Sequence, residues 1–386
     1  MNHRESISKP TSCLQPVAVT SPEQLETLLN ALAAETQIAV DTESNSLYAY
    51  QERVCLIQFS TPTADFLVDP LAGLDLTPLG DIFASSAITK VFHAAEYDVM
   101  CLKRDFKFEF SGLFDTMWTA RILGWPKVGL GSILSKEFGV HTNKRYQRYN
   151  WGRRPLEPEA LAYACLDTHY LLPLQSIQSE ALVNTGHWEE AQEVFAQVAA
   201  SEAAPTATPD PQGFWRIKHL SGLSRRELAI LSALYLWREQ EAQRRDRPPF
   251  KILSSVALVK FAQVRPSTME ELERAAPLNP YHLRTYGKPV LQAIRQGKNA
   301  RLPVPPSTPR RSKEEVMRYE ALRAWRKKMA TKRGVAPDVI LGNAALWQLA
   351  ELNPQTIEEW DRISEVGPWK RRTYGEAALS VLRSMS

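Results

Sequence analysis

Long apolar runs are missing from this chain of 386 residues. None approaches the ~20 residues that a membrane-crossing helix needs. The N-terminus, Met1 to Pro16, is polar and has no apolar segment of the kind that directs secretion, so no export signal is expected. Cysteine is scarce. Cys13, Cys55, Cys101 and Cys165 are scattered, with no C-x-x-C pair. That argues against zinc and for a reducing, cytoplasmic compartment. No heptad seam or obvious apolar interface appears, so a monomer is the expectation.

Net charge is also small, +4, but it is unevenly placed. Residues 1–200 hold 15 Lys/Arg against 24 Asp/Glu, a balance of −9. Residues 201–300 hold 16 against 9, and residues 301–386 hold 16 against 10, or +7 and +6. An acidic front and two basic rear segments suit metal chemistry in front and polyanion binding behind.

Pro16–Thr20 reads as a first strand. Ser21-Pro22-Glu23-Gln24 then offers an N-cap, a proline at N1 and a capping-box glutamine, and Leu25, Leu28, Leu29 and Leu32 carry a helix to about Ala34. Ile38-Ala39-Val40, Val54–Phe59, Phe66–Val68 and Lys90–Phe92 read as further strands, and Leu79–Phe83 as a short helix. Closely spaced early strands suggest antiparallel pairing. Helical patterns dominate after Ala94. The order predicts a mixed sheet followed by helices, an α/β domain over residues 1–200. Ser201–Gly213 and Leu302–Ser312, small, polar and proline-rich, read as linkers.

Behind the linkers the chain repeats. Trp237-Arg238 recurs as Trp325-Arg326, Ile252-Leu253 as Ile340-Leu341, and Arg284–Gly287 as Arg372–Gly375, always 88 residues on. Chance does not explain a constant offset. Two all-α domains, 213–300 and 310–386, are predicted. Their tryptophans, at helical spacing, are expected to be core. Their basic groups, such as Arg244-Arg245 and Lys327-Lys328, could dock RNA or a protein.

In the first domain, Val40-Asp41-Thr42-Glu43 ends a strand, where alternation points Asp41 and Glu43 to one side and Thr42 to the other. Two close carboxylates repel unless a cation lies between them. Asp98 falls in the first turns of a helix after the strand Val91-Phe92, aimed back at the sheet end. Tyr163 and Asp167 are i and i+4 on one helix face. The carboxylate can complete a metal pair and the phenol can orient a water. Four acids converging from a strand and two helices suit two-metal phosphoryl chemistry on oxygen ligands. Between them, Lys144–Arg154 interleaves basic and aromatic residues. Lys144, Arg145, Arg148, Tyr149, Trp151 and Arg154 are the candidates for neutralising phosphates and stacking on bases of a single strand.

These motifs resemble the DEDD exonuclease superfamily in its tyrosine-bearing subgroup, and the whole chain resembles the ribonuclease D family. Val40–Glu43, His93–Asp98 with Phe114-Asp115-Thr116, and Trp151 with Arg154–Leu156 and Tyr163–Leu172 carry the resemblance to the three exonuclease motifs. The repeat resembles the helicase-and-RNase-D C-terminal (HRDC) module. The sister subgroup has a histidine where this chain has Ala162. The resemblance implies a ribonuclease-H-like fold and two Mg²⁺ or Mn²⁺ ions. It makes Asp41, Glu43, Asp98 and Asp167 the ligands and Tyr163 the orienter of the water. Asp115 is expected to support rather than ligate, His93 to pack or hydrogen-bond at the strand end, and Glu96 and His169 to be structural. The function implied is removal of single nucleotides from RNA 3′ ends, transfer-RNA precursors among them. The alternatives are a DNA exonuclease of the same superfamily and a nucleic-acid-binding protein with an inactive nuclease fold.

Overall fold

The computed structural model describes residues 16–218, 220–275, 278–306, 311–363 and 365–385. Cys13, most of the polar N-terminus and residues 307–310 of the second linker lie outside them.

The first domain is built on β1 (Val17–Val19), β2 (Gln37–Ser44), β3 (Val54–Ser60), β4 (Asp65–Val68), β5 (Thr89–Phe92) and β6 (Leu113–Asp115). They form one sheet in the order β1-β4-β3-β2-β5-β6. The tight turn between β3 and β4 makes that pair antiparallel, as expected. β1 with β4, β2 with β5, and β5 with β6 are parallel. Parallel neighbours need crossovers, which α1 (Pro22–Ala33), α2 (Leu79–Ala84) and α3 (Glu96–Phe106) supply. β6 is only three residues long, too short for periodicity to mark it. Then follow α4 (Thr116–Ile122), α5 (Leu130–Glu137), α6 (Pro158–His169), α7 (Leu171–Thr185) and α8 (Trp188–Ala199).

Local chemistry sets the element ends. The Ser21 hydroxyl accepts from the Gln24 amide, and the Gln24 side chain accepts from Ser21 N–H at 3.0 Å, a closed capping box. α1 buries Leu25, Leu28 and Leu32. Every residue of β3 is buried, because both faces of the strand are covered. Val54, Ile57 and Phe59 enter the main core. Cys55 and Leu56 pack with Trp151, Ala160 and Ala164, from the segment before α6 and from α6 itself.

The repeat has a structural counterpart. The first helical module runs through α9 (Arg225–Arg244), α10 (Pro249–Ile252), α11 (Ser255–Val264), α12 (Met269–Ala275) and α13 (Pro280–Asn299). The second runs through α14 (Lys313–Arg333), α15 (Pro337–Ile340), α16 (Asn343–Leu352) and α17 (Pro368–Arg383). The first helix of each is closed by a serine–glutamate capping box, Ser224 with Glu227 and Ser312 with Glu315. Trp237 and Trp325 are half-buried and meet Tyr286 and Tyr374 edge-on. Each has its own core.

Two compact units result. One holds the sheet domain together with the second helical module. The other holds the first helical module and residues 44–53. Within it the Tyr50 amide donates to Asp246 at 3.0 Å and Lys251 lies over the Tyr48 ring. No described helix is long and apolar enough to cross a membrane.

Candidate active site

The site grows from the carboxyl end of β2. Its pairing with β5 runs from Gln37 to Ala39, while β2 continues to Ser44. The backbone of Thr42 therefore lies past the paired stretch, and Asp98 accepts from its amide as well as from its hydroxyl. Strict alternation would have sent Thr42 away from the acids. Its hydroxyl nevertheless reaches Asp98 at the carboxyl end of the strand.

Asp98 is aimed by the turn into α3. Ala94 has φ +65°, a left-handed conformation that costs a residue with a Cβ about 1–2 kcal/mol. The buried Asp115 carboxylate holds that turn. It accepts from the amides of Ala94 and Ala95 at 3.1 and 2.8 Å and caps α4 through Met117 and Trp118 at 2.8 and 3.0 Å. His93 Nδ1 pairs with the Thr116 hydroxyl at 2.9 Å, and burial depresses its pKa to about 4. It is a neutral framework residue. His169 is likewise paired with the buried Asp65, at 2.8 Å.

α6 delivers Tyr163 and Asp167, hydrogen-bonded to each other. An aromatic shelf supports the tyrosine: Tyr146 and Trp151 lie 5.7 and 6.4 Å from it, ring centre to ring centre. Here the structure corrects the sequence reading of the basic–aromatic segment. Trp151 is 1 % exposed, so its faces are taken by the core and cannot stack on a base. Arg154 grips both oxygens of Asp69 at 2.6 Å and donates to the carbonyls of Cys55, Trp151 and Arg153. Its guanidinium is saturated and braces the segment. Tyr149 is half-buried, edge-on to Trp151. Lys144, Arg145 and Arg148 are exposed.

The four acids share one electrostatic environment. Burial, then the charges of Asp98, Asp167 and Glu43, holds Asp41 well above the carboxylate range. Glu43 is raised well above it by burial and by Asp167 and Asp98. Burial pushes Asp98 and Asp167 to about 7, against the hydrogen bonds from Thr42 and Tyr163. Burial, then the charges of Asp167, Glu43 and Asp41, raise the Tyr163 phenol. Among the described residues, no three Asp, Glu, His or Cys side chains already enclose a single point tightly enough to hold an ion. Thr42 engages Asp98 and Tyr163 engages Asp167.

Thr42 and Tyr146 escaped sequence reasoning. Thr42 sits inside the D-T-E motif, where only the alternation rule concealed it. Tyr146 shows no sequence signal beyond lying among the aromatics before α6.

A family model described as 3′-5′ exonuclease matches residues 16–182, and one described as HRDC domain matches 227–294 and again 315–382. Ribonuclease D of Acidiphilium cryptum is 29% identical over 376 residues, which span 95% of this chain and 92% of the relative. The chain thus carries a 3′-5′ exonuclease domain followed by two HRDC domains, and it is similar to ribonuclease D along nearly its whole length. The RRP6 catalytic core of Trypanosoma brucei is 29% identical and superposes with a TM-score of 0.66 over 74% of this chain and 80% of its own. Escherichia coli ribonuclease D, at 24% identity, shares the fold over 96% of this chain and 99% of its own, with a TM-score of 0.70. The chain is accordingly a 3′–5′ exoribonuclease, a hydrolase of phosphodiester bonds. Exonucleases of this family depend in general on divalent metal.

Proposed function

We propose that this chain removes nucleotides one at a time from RNA 3′ ends, with transfer-RNA precursors as substrates, as a cytoplasmic monomer using two divalent cations, Mg²⁺ or Mn²⁺. Asp41, Glu43, Asp98 and Asp167 would hold the ions. One observation carries the reading: four buried carboxyl groups from β2, α3 and α6 lie in one field, where Asp98 and Asp167 raise Asp41 and Glu43, Asp98 raises Asp167, and every charge that raises them is itself a carboxylate. An all-oxygen, like-charged donor set suits hard divalent cations and suits little else. When bound, such ions make water acidic and neutralise charge at the leaving 3′ oxygen.

The chain's own groups do the positioning. Tyr163 remains a phenol at working pH because burial and Asp167 disfavour its anion. It therefore cannot serve as the general base. Its proton goes to Asp167, and its oxygen lone pair can accept from the attacking water and fix that water's approach. Thr42 holds Asp98 so that the α3 carboxylate stays at the carboxyl end of β2.

The test is a denaturing-gel time course on 5′-labelled RNA with a single-stranded 3′ tail, beside matched DNA, with and without Mg²⁺ or Mn²⁺. A metal-dependent ladder shortening RNA from its 3′ end, absent in Asp41→Asn, is expected. Tyr163→Phe should lower kcat on the order of 10²-fold and leave the alkaline limb of the pH profile in place. A shifted alkaline limb would make the tyrosine a base and refute its role as a neutral orienter of water. Cleavage of DNA alone would sink the RNA assignment.

A further inference from the structure

Beside α5, Trp125, Lys127, Ser132, Lys136, His141 and Lys144 help to line a cavity of about 560 Å³, within the size range of small-ligand sites. No carboxylate lines it. Three ammonium groups around one cavity repel each other unless an anion joins them. Lys136, itself exposed, pairs with the half-buried Glu137 at 2.8 Å, and a pair at the surface is worth little in water. Lys127 and Lys144 have no carboxylate partner among the described residues.

The remaining lining matches the charge. Gly131 and Ser132 belong to the first turn of α5, whose N-cap, Gly129, provides no side-chain acceptor. Positive helix-end polarity therefore adds to the lysines. At position 131 a Cβ would stand 2.6 Å from the Thr142 hydroxyl, so glycine lets that donor close over the turn. Ser135 and His141 meet at 3.5 Å on the wall. Trp125 gives the cavity an aromatic surface, with Lys136 Nζ 5.1 Å from its ring centre. An anion carrying a planar ring answers both features.

The cavity also has a fixed relation to the acids. Lys144 opens the 3₁₀ turn Lys144–Arg148. Two residues on, Tyr146 packs 5.7 Å from Tyr163. At ~2 Å rise per residue, the backbone advances only about 4 Å from Lys144 to Tyr146.

We propose that this cavity is the subsite for an upstream nucleotide of the RNA strand. Lys127 and Lys144 hold its phosphate and Trp125 stacks on its base, while the 3′ end lies at the acids. The inference rests on the exoribonuclease reading and adds the path of the strand to it.

Binding can be measured apart from hydrolysis, in chelator, by fluorescence anisotropy of 5′-labelled single-stranded RNA. The variants are Lys127→Gln/Lys144→Gln and, as a control that removes a single charge on an exposed site elsewhere, Lys107→Gln. The double variant should lose about tenfold or more in affinity for a strand of about ten nucleotides, and its salt slope should fall by roughly 0.7, one phosphate's worth. A dinucleotide should lose far less, and the control should match the wild type. Equal loss at both lengths, no loss, or the same loss in Lys107→Gln would overturn the subsite. Tight binding of 5′-AMP alone, lost in the double variant, would make it a free-nucleotide site and overturn the strand assignment. A wild-type protein that cleaves no RNA on the gel would sink the exoribonuclease reading, and the anisotropy series would still decide the cavity by itself.

Discussion

Asp98 concentrates the conflict between stability and activity in one side chain. It is 9% exposed, and burial raises its pKa to about 7. A carboxyl raised in the folded state favours folding most when protonated. Its stabilisation is complete below the unfolded value near 4 and is lost as pH rises through about 7. Metal-free protein at pH 8 should therefore carry a folding cost in this cluster. Asn keeps the acceptor for Thr42 and removes the charge. Asp98→Asn should be more stable than wild type at pH 8 in chelator, by on the order of 2–4 kcal/mol. The gap should shrink at pH 5, and activity should be lost throughout. Urea titrations at the two pH values measure it. An equal gap at both would mean that the charge is not the cause. Added divalent cation should stabilise the wild type more than the variant.

At the scale of elements, the sheet end is organised by turns rather than strands. β5 and β6 end together, with Phe92 opposite Asp115 in register, and Asp115 ties the start of α3 to the start of α4. All four bonds it accepts come from backbone amides. An amide side chain would turn an N–H against at least one of those donors. Asp115→Asn should thus cost on the order of 3 kcal/mol and lower activity by releasing the left-handed turn at Ala94. Asp115→Glu should not rescue it, because the longer side chain overshoots the turn. Hydrogen exchange of the Ala94 and Ala95 amides reports the release directly. Unchanged protection in the Asn variant would refute the account.

At the scale of the molecule, two copies of one module have diverged in what they hold. In the first module Arg245 bonds Glu241 on its own helix and lies over Tyr286. The residue 88 positions after Glu241 is Met329, so the matching arginine, Arg333, has no such partner on its own helix. Arg333 instead clamps Glu190 of α8, with bonds of 2.8 and 2.6 Å, and also donates to the Tyr374 hydroxyl and the Ile122 carbonyl. Glu190 is fully buried. Trp369 N–H adds a bond to Glu193 at 2.5 Å, and Gly124 meets the backbone of Gly334 too closely to admit a Cβ. Arg333→Met would leave Glu190 buried without its cation, a loss of about 3–5 kcal/mol. Adding Glu190→Gln should recover part of it. Chemical unfolding of the four members of that cycle tests the coupling, and additivity within ~0.5 kcal/mol would disprove it.

The sequence alone determined what depends on local chemistry. The Ser21 capping box, the apolar run ahead of Asp41, the i, i+4 pair Tyr163–Asp167 and the 88-residue offset are written in residue type and spacing, and the mixed sheet with two helical modules follows from them. Only tertiary structure decided the rest. The parallel pairings, the short β6 and the reach of Thr42 to Asp98 depend on which strand lies beside which, and neighbouring residues do not encode that. Trp151 and Arg154 look like a nucleic-acid surface in one dimension because basic and aromatic residues interleave there. Packing against β3 and Asp69 turns both inward. The anchorage of the second module is tertiary too: Arg333 finds its partner, Glu190, 143 residues away in the chain.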